Sequence, residues 1–123
     1  MNIFLWILQG LLALVFMMSG ILKLSQPKEK LGERMNWVKT VPPRSVKLIG
    51  LVELLGALGL ILPAVTGIWP WLTPLAAAGL VVVMAGAAFT HYRLKEYPAI
   101  GMPAVLLILA AVAAVGRFWI SPL

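Results

Sequence analysis

The sequence predicts an all-α integral membrane protein, a bundle of four transmembrane helices in one domain spanning residues 1–123. Three observations predict it. The chain is 62% hydrophobic and only 11% charged over 123 residues, too little polar surface for a soluble domain of this size. Its apolar residues fall into four blocks, each close to the roughly 20 residues that cross a hydrocarbon layer. The basic residues that give the net charge of +6 sit between those blocks, a pattern of membrane orientation and not of nucleic-acid binding. Spans are expected at residues 3–24, 46–63, 71–91 and 102–120.

The first block has no basic residue before it and no small-residue cleavage pattern, so it reads as a retained helix and not as a signal peptide. Ser19 and Lys23 near its end are four residues apart and share a face. Lys23 is open to two readings: an interfacial lysine that snorkels to the headgroups, or a member of a polar centre. Gln9, a lone polar group in the block, suits a hydrogen bond to a neighbouring helix.

Residues 25–45 form the one long polar stretch. Within it, residues 27–40 read as an amphipathic helix lying in the interface, with Leu31, Met35 and Val38 on one side and Trp37 at headgroup depth. Pro42 and Pro43 stop it.

The second block is the centre of the design. It runs Leu48-Ile49-Gly50-Leu51-Val52-Glu53-Leu54-Leu55-Gly56-Ala57-Leu58-Gly59-Leu60-Ile61-Leu62-Pro63. Glu53 lies roughly 9 Å along the helix from Lys47, well inside the apolar layer. Placing a charge there costs about 2.5–3.5 kcal/mol on insertion scales, so the bundle must offset that cost or keep the acid protonated. Gly50, Glu53, Gly56 and Ala57 share one helix face, which lets a neighbour come close to the acid. Glu53 is therefore expected to point into the bundle, and Gly56→Leu to push helix two off its neighbour.

Trp69 and Trp71 flank the next turn as interfacial anchors. The third helix is rich in Ala and Gly, and Gly86 with Thr90 makes a small-xxx-small packing step. It closes at His91-Tyr92-Arg93-Leu94-Lys95-Glu96. Pro103 suits the first turn of the fourth helix, which carries Ala110 and Ala114 at packing spacing. Helix packing is assigned to Gly20, Gly50, Gly56 and Gly86. The basic loops 25–45 and 92–98 lie on one side, and Arg117 is the lone basic residue on the other. The positive-inside rule puts both loops in the cytoplasm and both termini outside, in a multi-pass cytoplasmic (inner) membrane protein.

Ser19, Lys23, Glu53, His91 and Arg93 come from three helices yet share one half of the bilayer, and form the expected polar intramembrane centre, which Thr90 can also join. Such a centre reads either as a clamp fixing helix register or as a proton-active or ligand site. No residues are assigned as catalytic, since no nucleophile–base arrangement or phosphate loop occurs. With no cysteine, thiol-redox chemistry and thiolate metal sites are excluded. One histidine and four acidic residues are too few for a protein-only metal cage, so no metal is assigned.

Several stretches in order resemble the DoxX-like family of small four-helix membrane proteins. They are Phe16-Met17-Met18-Ser19-Gly20-Ile21-Leu22-Lys23-Leu24, the stretch from Trp37 to Pro43, the whole second block, Pro70-Trp71-Leu72-Thr73-Pro74, the third-helix exit with His91, Arg93 and Glu96, and Gly116-Arg117-Phe118. The family takes its name from a membrane subunit of a thiosulfate:quinone oxidoreductase. Other relatives are linked to assemblies that handle oxidative stress, and distant animal relatives act as receptor-assembly chaperones. The resemblance implies a non-catalytic accessory or assembly subunit of a membrane complex, oxidoreductase-associated and quinone-linked. The implied partners are the lipid bilayer, a membrane or peripheral protein, and a second copy of the chain, with no nucleic acid. Two alternatives stand beside it. One is a small proton-coupled transporter using Glu53, a plan shared with small multidrug exporters, although their acid lies in helix one. The other is a bundle that itself binds quinone, its one candidate cofactor, or another small ligand, with His91 or Tyr92 as hydrogen-bond donor.

Overall fold

A computed structural model describes residues 2–26, 42–120 and 122. The interfacial segment expected at residues 27–40, with Trp37, lies outside the described residues. Among the described residues the protein is all-helical. Helix α1 is Asn2–Ser25, α2 is Pro43–Thr66, α3 is Leu72–Arg93 and α4 is Gly101–Val115. A 3-10 turn, Tyr97–Ile100, leads into α4, and a π-helical turn, Gly116–Ile120, continues it. Joined in this way, the segment Tyr97–Ile120 is one of four that are long and apolar enough to cross a membrane.

The helices sort their side chains by period. On α1, Leu5, Leu8, Gln9, Leu12, Ala13, Phe16, Gly20 and Lys23 are buried, the three-to-four spacing of one helix face. Ile3, Ile7, Leu11, Leu14, Met18 and Ile21 are exposed, the face a bilayer covers. Leu12, Phe16, Ala57, Leu60, Leu80 and Ala113 are central to the core, which draws on all four helices.

Helix α2 runs to Thr66, three residues past the expected end at Pro63. Pro63 has no N–H to give Gly59, four residues back. The Thr73 hydroxyl of α3 donates to that Gly59 carbonyl at 3.0 Å, so a neighbouring helix supplies what the proline removes. The helix ends at Gly67, whose φ of 73° is the left-handed conformation glycine adopts without strain.

Two close approaches set the bundle. A Cβ on Gly20 would lie 2.6 Å from the Gly50 carbonyl oxygen, and one on Gly50 would lie 2.7 Å from Lys23 Cβ. Helices α1 and α2 therefore touch backbone to backbone there, as small residues in membrane helices permit. Gly56 faces the Leu80 side chain, and Gly59 faces Ala76, which joins α2 to α3 nearer the end that holds the Gly67 turn. At the basic end, where α1 stops and α2 starts, the pairs α1/α2 and α3/α4 leave a cavity between them.

Candidate functional site: a polar-ended cavity within the bundle

The cavity has a volume of about 820 Å³ and takes wall residues from every helix, within the size range of small-ligand sites. Phe16, Val83, Met84 and Leu106 make apolar wall, while Ser19, Lys23, Glu53, Thr90, His91 and Glu96 make a polar one.

Lys23 and Glu53 form the deepest part of that polar wall. Their relative exposures are 7% and 2%, and Lys23 Nζ lies 2.5 Å from Glu53 Oε1. Lys23 also donates to Ser19 Oγ at 2.8 Å, and Ser19 donates to Glu53 Oε2 at 3.1 Å. The local helix geometry explains the direction of reach. Side chains of a helix lean toward its N-terminus, and for Lys23 the N-terminus of α1 lies across the membrane. Gly50 leaves the space that the lysine stem occupies. Lys23 thus turns inward to the acid, against the snorkelling reading.

His91 and Glu96 form a second pair, with Nδ1 3.1 Å from Oε1. Its geometry comes from the end of α3. The Glu96 N–H donates to the His91 carbonyl at 2.9 Å and the Lys95 N–H to Tyr92 at 3.1 Å, the two bonds of a Schellman ending. Lys95 takes the left-handed position, φ 60°, so the chain folds back and sets Glu96 beside His91.

The structure brings Ser19, Lys23, Glu53 and His91 onto one cavity wall and leaves Arg93 out. Arg93 is exposed, with its guanidinium 5.9 Å from the centre of the Phe89 ring. Tyr92, expected as a ligand donor, is also exposed and meets Tyr97 edge-on. Gly86 departs from its packing assignment. A Cβ there meets nothing within 4 Å, because Gly86 lines the cavity where a helix contact was expected. Thr90, which the sequence allows to join the centre, lines the cavity, whereas sequence reasoning left Glu96 out of the site. A Gly at position 95 would have signalled the fold-back; a lysine there gave no such signal.

A separate polar cluster lies at the opposite end of the bundle. Arg117, 2% exposed, donates to Gln9 Oε1 at 2.6 Å and to Asn2 Oδ1 at 2.7 Å, and its guanidinium sits 5.4 Å from the Trp6 ring. Gln9 in turn donates to the Leu60 carbonyl at 2.7 Å. The network ties α1 to α2 and to the turn after α4. Arg117 continues the buried stripe Ala110, Ala113, Ala114, a helical spacing the sequence carried openly.

Four membrane-length helices agree with a family match. The family model described as DoxX-like matches residues 7–113. The chain belongs to the DoxX-like family. No curated protein and no solved structure matches it. The matched stretch of this DoxX-like protein contains the whole polar wall, from Ser19 to Glu96, and stops short of Arg117. As a multi-pass membrane member of the family, it carries the cavity between its spanning helices.

Proposed function

We propose that this protein is a non-catalytic membrane subunit that holds an amphipathic, quinone-class ligand between its helix pairs and serves a membrane redox complex. The observation that carries the reading is the cavity itself. Its apolar walls suit a ring and tail, and its polar pairs, Lys23–Glu53 and His91–Glu96, suit a polar head. The family to which the chain belongs supports a membrane role, and the basic residues around loops 25–45 and 92–98 support a cytoplasmic-facing surface in the inner membrane, able to dock an acidic partner protein.

Pull-down in mild detergent from the native membrane, with mass spectrometry of proteins and lipids, tests both halves. A stoichiometric redox partner and a retained quinone are expected, both diminished in Lys23→Ala. A protein that carries only bulk phospholipid and no partner would contradict the reading.

Glu53 on the cavity wall also favours a second reading, proton-coupled transport. The ion pair weighs against it, because Lys23 already holds the place beside the acid that a proton or cationic substrate would need. Proton-driven uptake into vesicles that disappears in Glu53→Gln would restore it.

A further inference from the structure

We propose that the cavity selects a ligand whose head donates hydrogen bonds, binding the hydroquinone form of a quinone-class molecule in preference to the oxidised form. This rests on the ligand-binding reading above and follows from how the polar wall allots its donors.

The wall hydroxyls and the Lys23 ammonium are directed to protein acceptors. The Ser19 hydroxyl is directed to Glu53 and the Lys23 ammonium to Ser19 and Glu53. The Thr90 hydroxyl donates to the Gly86 carbonyl at 2.9 Å. The backbone N–H of Ala99, a wall residue at the start of the fourth span, goes to the Glu96 carbonyl at 3.0 Å. Glu96 Oε1 lies 3.1 Å from His91 Nδ1, so that ring nitrogen is already engaged by the protein.

Acceptor capacity remains. A carboxylate offers about four lone-pair sites, and Glu53 has one bond to each oxygen. Thr90 Oγ1 and Glu96 Oε2 add to that surplus beside the facing helix pair. A carbonyl head brings acceptors to acceptors and loses its hydration without replacement. A hydroxyl head donates into the same wall. A site of this kind discriminates strongly, because the wrong partner leaves buried polar groups unmatched.

The test uses the whole chain in lipid nanodiscs at about pH 8, titrated anaerobically by calorimetry with a short-tailed benzoquinone and its hydroquinone. The hydroquinone is expected to bind at least about tenfold more tightly. For this two-electron couple, tenfold corresponds to an upward shift of about 30 mV in the bound midpoint potential. Thr90→Val, which removes a wall acceptor at nearly constant volume, should weaken hydroquinone binding several-fold and narrow its preference over the quinone. Equal or tighter binding of the quinone would overturn the preference and leave the ligand site standing. Binding of neither would overturn both.

Discussion

Lys23 lies deeper than its place in the chain suggests: its ammonium is bonded to Glu53 on the next helix and to Ser19 one turn further into the membrane. The contact is made at the only stretch where α1 and α2 meet through two glycines among the described residues, so sequence, packing and charge pairing coincide. A buried pair of this kind contributes little beyond a well-packed apolar pair, yet breaking it is costly.

That asymmetry gives the first prediction. Lys23→Ala and Glu53→Ala should each destabilise the detergent-solubilised protein by about 3–5 kcal/mol, because each strands a buried charge. The double substitution Lys23→Met with Glu53→Leu should fold at least as well as either single variant, and should lose the ligand. Thermal unfolding monitored by circular dichroism checks the stability, and lipid extraction checks the ligand. A double variant less stable than both singles would mean the pair is not the interaction being removed.

The glycines rank differently from one another. Gly50→Val drives a side chain into Lys23 and the Gly20 backbone, which cannot move aside, so folded yield should fall sharply. Gly56→Ala meets only the end of the Leu80 side chain, and overpacking there should cost no more than about 1–3 kcal/mol. Gly56→Leu, much larger, should part α2 from α3. Size-exclusion profiles and melting curves of the three variants would show the order; Gly56→Ala proving the worst would refute it.

The proline in α2 predicts a coupled pair. Thr73→Val leaves the Gly59 carbonyl without its donor and should cost about 1 kcal/mol. In a Pro63→Ala background residue 63 regains its N–H, and the same Thr73→Val should cost little. A double-mutant cycle measures the difference. Additive effects would show that Thr73 is not compensating for Pro63.

Lys95 stands where glycine is favoured. Lys95→Gly should raise stability by about 1 kcal/mol by removing left-handed strain, while Glu96 stays beside His91. A lowered melting temperature would indicate that the lysine side chain holds the turn by some other contact.

Much of this molecule was legible in its sequence, for physical reasons that can be named. Four apolar blocks near membrane length leave a chain little choice but to span, and the membrane forces the backbone into helices. Glu53 announced itself because a carboxylate in an apolar run must find a partner, and the glycines around it pointed to a close neighbour. The partner remained ambiguous, since a lysine at a helix end reaches outward as readily as inward; the Gly50 notch decides it. His91 was found by being the lone histidine, whereas Glu96 was passed over because its position depends on a left-handed residue that is not glycine. Arg93 was drawn into the site by proximity in sequence, although two residues along a helix turn a side chain by about 200°. Gly86 followed a packing pattern that also fits a cavity wall.

The most direct test of the central claim is photolabelling in native-like membranes with a quinone analogue carrying a diazirine, mapped by mass spectrometry. Label on the Ser19–Lys23 and Thr90–Glu96 peptides, competed away by unlabelled ligand and lost in Lys23→Ala, is the predicted result. Label confined to outward-facing positions such as Ile7, Leu14 and Leu48, and insensitive to competitor, would contradict a ligand site within the bundle.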